Sequence, residues 1–145
     1  MNKITIITPT YNRAHTLPIA FEGLRKQTFR DFCWLILDDG STDNTSEIVE
    51  NFKKENPFEI TYKKDKNRHK FLTVLDGIKM VETPYFIILD SDDTYPENAL
   101  EILVNEAETI KNHENYIKNF NKTLMLSILI ILLDNTRVKC YDSGN

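Results

Sequence analysis

Only 4 glycines and 5 prolines stand among the 145 residues, which excludes a collagen-like repeat or a Gly/Pro-rich disordered chain. Cysteine is as scarce. Cys33 and Cys140 are too few for a disulfide framework or a zinc cluster, and His15, His69 and His113 lie at no ligand spacing, so a reducing cytoplasm is the expected compartment. Basic charge is in deficit too: 18 Lys and Arg against 22 Asp and Glu give a formal net charge of -4, which argues against a nucleic-acid partner. The first residues, MNKITIITPTYN, lack an apolar stretch followed by a small-residue cleavage site and read as a first strand, not a signal peptide. The apolar run Leu124 to Leu133 has ten residues, about half of the ~20 that a membrane-crossing helix requires, and reads as a buried strand or helix. What is present, 41% hydrophobic and 28% charged residues, is the balance of one soluble domain.

Short β-branched runs alternate with longer amphipathic ones, which predicts an α/β fold of strands and helices around a mainly parallel sheet. Four strand–helix pairs are expected. Strand Ile4 to Thr8 stops at Pro9 and leads to a helix with Thr16 as N-cap, Pro18 in its first turn and Leu17, Ala20, Phe21 and Leu24 inward. Strand Cys33 to Leu37 empties into Asp38-Asp39-Gly40-Ser41-Thr42-Asp43 before a helix with Ile48, Val49 and Phe52 inward. Strand Glu59 to Tyr62 precedes a polar loop and a helix holding Phe71, Leu72, Leu75, Ile78 and Met80. Strand Tyr85 to Leu89 ends in Asp90-Ser91-Asp92-Asp93, and the last helix carries Leu100, Leu103, Ala107 and Ile110 before fading after His113.

In an open parallel sheet the ligand crevice lies beyond the carboxyl ends of the strands, where the unusual polar clusters fall: Pro9 to Arg13, Asp38 to Ser41, Asn67 to Lys70 and Asp90 to Asp93. Three carboxylates in four residues repel one another unless a cation lies between them. Oxygen-only ligands suit Mg2+ or Mn2+ shared with a phosphate-bearing partner, while the plain alternative is an acidic turn in which Asp90 or Asp93 caps the next helix. Asp38-Asp39 has two readings as well: carboxylates accepting from a pyrimidine edge or ribose diol, with Gly40 letting the backbone approach a ring, or an Asx-turn opening a helix. Tyr11 can stack on a base, Thr10 offers a hydroxyl, and Arg13 or Lys70 can face a diphosphate; His69 and His15 read as solvent-facing loop residues.

In this order, Pro9 to Arg13 (PTYNR), Asp38 to Thr45 (DDGSTDNT) and Asp90 to Leu100 with its DxDD start resemble the inverting family 2 glycosyltransferases of the GT-A fold, a Rossmann-like sandwich. Gln27 to Phe32 resembles that family's turn between first helix and second strand, and the likeness covers about residues 1 to 112. The resemblance implies a nucleotide-diphosphate sugar partner, with a UDP-sugar foremost, and a saccharide or lipid-linked acceptor. It implies nucleotide-sugar binding by Pro9, Thr10, Tyr11, Arg13, Asp39, Lys70 and Asp90, and a metal, Mg2+ or Mn2+, on Asp92 with Asp93 second. Action in the cytoplasm, with peripheral association at the inner face of the cell membrane, and a cell-envelope or surface-polysaccharide pathway follow from the same likeness.

Two departures stand out. Arg68 and His69 replace the family's glycines after the loop Asn, and Leu75 and Asp76 stand where it has a late helical Asn. No catalytic base is assigned, because the family's base and acceptor site lie beyond the matching stretch. Residues 113–145 are therefore read as a divergent tail, the truncated remainder of an incomplete domain, and the rival function is a donor-binding remnant without turnover. Other chemistries fit poorly. A haloacid-dehalogenase D-x-D-x-T belongs after the first strand, a calcium loop needs glycine where Tyr95 stands, and no G-x-G-x-x-G follows the first strand.

Overall fold

A computed structural model of the chain describes residues 1–114 apart from positions 56 and 68. The chain divides into two compact units, Met1–Glu106 and Ala107–Asn145. The fold that follows is the first unit's. Of the second, the end of the last helix lies among the described residues, whereas the apolar run 124–133 and nearly all of the expected tail lie outside them.

Strands and helices alternate as β1 (Ile4–Thr10), α1 (Leu17–Arg25), β2 (Phe32–Asp38), α2 (Thr45–Glu55), β3 (Glu59–Lys64), α3 (Lys70–Lys79), β4 (Tyr85–Ile88) and α4 (Ala99–Glu114). The four strands form one parallel sheet in the order β3-β2-β1-β4. The first three strands step outward in one direction and β4 then pairs with the opposite edge of β1, so the winding reverses between β1 and β4.

Strand alternation sorts the core into two layers. On one side Trp34 lies among Phe21 of α1, Phe52 of α2 and Phe58, with Phe21 and Phe52 stacked at 4.0 Å, and the indole Nε1 donates to Thr8 Oγ1 at 2.8 Å. On the other side Ile7, Leu35 and Leu37 pack with Ile78, Val81, Phe86 and Ile88. Leu17, Ala20, Phe21 and Leu24 of α1 are buried, as their spacing predicts. Thr16 occupies the N-cap position without a side-chain cap, its hydroxyl lying toward the Arg13 carbonyl.

β1 runs through Pro9 where a stop is expected. The backbone explains both the continuation and its limit. The Ile7 carbonyl accepts from Leu89 on the β4 side, and two residues on, with the same facing, Pro9 has no N–H to donate. Pairing with β4 ends at Ile7–Ile88, while pairing with β2 continues to Thr10–Asp38.

The inward face of α3 differs from expectation. Phe71, Leu72, Leu75 and Met80 are exposed, Ile78 is half-buried, and Thr73 and Gly77 are the buried residues. The helix lies so close to the sheet that a Cβ on Gly77 would come within 2.4 Å of Leu37 Cδ1. In α2, Thr45 joins Val49 and Phe52 inside while Ile48 is half-buried; in α4, Leu100 and Val104 are buried and Leu103 half-buried.

Candidate functional site

The loop after β1 is braced before it offers any side chain to a ligand. Asn12 sits at φ 54°, a left-handed conformation that asparagine tolerates, and its Oδ1 accepts from the Thr42 and Asp43 amides and the Thr42 hydroxyl. Ser41 Oγ accepts from the Asn12 amide, Thr45 Oγ1 from the Arg13 amide and Asp43 Oδ2 from the Ala14 amide. The Ser/Thr/Asp/Asn-rich stretch after β2 therefore serves largely to hold the first loop. Burial would push the Asp43 carboxyl up, but hydrogen bonds from the Thr45 hydroxyl and the Ala14 and Thr45 amides outweigh it and hold the group below its ordinary value.

Asp38 and Asp39 divide the two readings between them. Asp38 is structural: its Oδ1 closes a turn by accepting from the Ser41 amide at 2.6 Å, and its Oδ2 accepts from the Tyr62 hydroxyl, which also pairs with Ser46 Oγ at 2.7 Å. Burial, and then the bond to Asp38, push the Tyr62 phenol well above its ordinary range. Asp39 is buried, its amide donates to the Thr10 carbonyl at 2.9 Å, and its Oδ1 accepts from the Thr73 hydroxyl at 3.0 Å. Gly40, at φ +86°, meets protein rather than a ring: a Cβ there would lie 3.0 Å from the Asn67 amide nitrogen and 3.2 Å from the Asp65 carbonyl oxygen.

After β4 the Asp93 amide donates to the Asp90 carbonyl at 3.1 Å, and this turn gathers the carboxylates of Asp90, Asp92 and Asp93, with one oxygen of each within 4.8 Å of the others. The turn does not cap α4. That helix begins at Ala99, and its Leu100 amide donates to Oε1 of the buried Gln27, whose Nε2 donates to the Pro96 carbonyl at 2.7 Å. Lys70 Nζ meets Asp90 Oδ1 at 2.7 Å in a pair open to solvent, 60% and 21% exposed, the kind that contributes about 0–1 kcal/mol and exchanges partners readily.

These loops enclose a cavity of about 360 Å³ lined by Pro9, Thr10, Tyr11, Arg13, Asp39, Lys70, Asp90 and Asp92, together with Asn67, His69 and Ser91. All the residues expected to bind a nucleotide sugar thus share one wall system with Asp92, while Asp93 belongs to the turn and does not line the cavity. Thr10 Oγ1 is buried and has no hydrogen-bond partner among the described residues. His69 is exposed, as expected, and also lines the cavity, at φ 77°. Thr73 escapes sequence reasoning because a threonine among Phe, Leu and Val carries no signal until its partner 34 residues away is known.

Comparison with known proteins agrees with this arrangement. A profile described as Glycosyl transferase family 2 matches residues 5–117. An uncharacterized glycosyltransferase of Rickettsia felis is 34% identical over 80% of the chain, and the GalNAc(5)-diNAcBac-PP-undecaprenol beta-1,3-glucosyltransferase of Campylobacter jejuni is 28% identical over 86%. The crystal structure of S. aureus TarS 1-349 in complex with UDP superposes with a TM-score of 0.66 and 28% identity over 77% of the chain. The chain spans 19% and 39% of the two curated relatives and 33% of the TarS chain. The sheet has the GT-A α/β architecture that the resemblance implies. With the profile covering most of its length and its site loops in place, the chain belongs to glycosyl transferase family 2.

Proposed function

We propose that the cavity binds a nucleotide-diphosphate sugar, a UDP-sugar, and that the chain supplies the donor side of an inverting sugar transfer to the hydroxyl of a saccharide or lipid-linked acceptor. The observation that carries this reading is the convergence of Pro9, Thr10, Tyr11, Arg13, Asp39, Lys70, Asp90 and Asp92 on one cavity at the point where the winding reverses. Tyr11, 46% exposed at the rim, offers a face for base stacking, and Asp39 presents an acceptor to the base edge. Arg13 and Lys70 are the cations for the diphosphate, Lys70 exchanging Asp90 for a phosphate oxygen. The buried Thr10 hydroxyl, a group whose unmet hydrogen bond costs about 1–3 kcal/mol, favours a polar ligand atom nearby.

The acidic turn fits a divalent cation. Its donors are all oxygens, they lie close enough to share one small ion, and two of the three residues are exposed and keep room for water and phosphate. Asp92 and Asp93 would hold Mg2+ or Mn2+ beside Asp90, and the ion when bound neutralises charge on the departing nucleoside diphosphate. Titration calorimetry with UDP, with and without Mn2+, is the test. The intact chain is expected to bind UDP more tightly with the metal, and Asp92→Ala to abolish that difference. Absence of UDP binding under both conditions would overturn the proposal, and undiminished metal dependence in Asp92→Ala would remove the ion from that turn.

A second reading, donor binding without transfer, is favoured by the acids at the site. Among the described residues the only carboxylates lining the cavity are Asp39, Asp90 and Asp92, all of which the proposal uses for the donor. Sugar transfer measured alongside UDP binding separates the two.

A further inference from the structure

A surface helix ordinarily turns its apolar stripe to the core and its polar face to water. α3 inverts this. Thr73 and Gly77 lie against the sheet, while Phe71, Leu72 and Leu75, with Met80 at the C-cap, are left outside, Phe71 being 71% exposed. Phe71 and Leu75 stand one turn apart and share a face, with Leu72 beside them. Close approach to Leu37 explains why the small residues are inside. It gives no reason for the outer ones to be apolar, and a contiguous exposed patch of this kind marks a contact surface.

Charge identifies the partner. Between positions 63 and 80 stand six Lys and Arg against two Asp, in a chain whose formal net charge is -4. Three of these lysines border the patch. Lys70 precedes Phe71 at the start of the helix, Lys79 lies in its last turn, and Lys63 of β3 reaches Met80, its Nζ 4.0 Å from Sδ. Lys79 Nζ is 3.0 Å from Asp76 yet the side chain is 75% exposed, so it keeps access to a second anion. Apolar side chains bordered by lysines suit the boundary between acyl chains and anionic headgroups, where lysine stems lie along apolar surface and the ammonium groups reach phosphate. A second copy of the chain suits the patch less, since a symmetric contact would set lysine against lysine. With 10 residues, α3 is too short to cross a bilayer and would lie along one.

We propose that the outer face of α3, Phe71, Leu72 and Leu75 with Met80, bordered by Lys63 and Lys79, is a docking surface for an anionic lipid bilayer. Because α3 begins at Lys70, which lines the cavity, docking sets the cavity beside the bilayer, where a lipid-linked acceptor would be held. The surface stands independently of the donor-binding reading; its use for such an acceptor rests on that reading.

The test is co-sedimentation of the full 145-residue chain, without nucleotide, with vesicles of phosphatidylcholine alone or with phosphatidylglycerol added. The chain is expected to bind the anionic vesicles, less so as salt rises, and to leave the neutral ones. Phe71→Ser should weaken that binding about tenfold, the scale of one partly buried aromatic side chain, and Lys63→Ala and Lys79→Ala about fivefold each. These side chains are exposed, so the thermal midpoint should hold in all three variants.

Vesicle binding that is absent, indifferent to lipid charge or unmoved by Phe71→Ser overturns the proposal. So does a dimer that Phe71→Ser disperses in a chain that leaves vesicles alone, which would give the face to a second copy. Titration with UDP keeps the two readings apart: vesicle binding without UDP binding defeats the donor-binding reading alone, and UDP binding without vesicle binding defeats this inference alone.

Discussion

Gly77→Ala sets two effects of known sign against each other at the seat of α3. Alanine is about 1 kcal/mol better than glycine in a helix interior, so on propensity alone the substitution stabilises. The new methyl, however, would lie 2.4 Å from Leu37 Cδ1 and 3.2 Å from Ile7 Cγ2, where carbon atoms normally rest about 3.5–4.0 Å apart. Leu37 cannot simply swing away, because Ile7, Leu35, Ile78, Val81, Phe86 and Ile88 surround the same site. Relief therefore means moving α3 outward by about 1 Å, and overpacking of this kind costs about 1–3 kcal/mol. The net expectation is a loss of about 1 kcal/mol and a fall of about 4–8 °C in the thermal midpoint, read by calorimetry or circular dichroism. The same displacement carries Thr73, one turn earlier on the buried face, away from Asp39, so UDP affinity should fall with stability. A midpoint at or above that of the unsubstituted chain would refute the reasoning, since it would mean that helix propensity outweighs the close approach.

Two further predictions concern pH. Because the folded-state Tyr62 phenol lies above its unfolded value, its contribution is complete below about pH 10 and is lost as pH rises beyond it; Tyr62→Phe should remove this alkaline loss. The same variant leaves Asp38 Oδ2 without its donor and should cost about 1–3 kcal/mol in denaturant titrations at neutral pH. The Asp43 carboxyl is shifted the other way, so its contribution is present above about pH 4 and is lost as acid protonates it. Asp43→Asn should flatten the acid limb of stability against pH, and an unchanged limb would show that the bonds from Thr45 and Ala14 do not stabilise the charged form.

The α/β pattern was legible because β1 is rich in Ile and Thr and β2 and β4 are apolar runs that lead into Asp38 and Asp90, and the face of α1 because Leu17, Ala20, Phe21 and Leu24 form one stripe. In α3 the same rule misleads. Phe71, Leu72 and Leu75 form a better apolar stripe than Thr73 and Gly77, yet close approach to Ile7 and Leu37 demands the small residues inside. The four site loops were legible from their places at strand ends. Which of two adjacent aspartates faces the cavity was not, because that depends on Tyr62 claiming Asp38 and Thr73 claiming Asp39, contacts made across the sheet.

The proline in β1 carries a further implication. Since its missing donor is a covalent property of the chain, the parting of β1 from β4 exists at all times and is no product of occupancy. A nucleotide sugar bound there, as proposed, would have no β1–β4 ladder to break beyond Ile7–Ile88. The aperture is cut in advance by the absence of a single hydrogen atom.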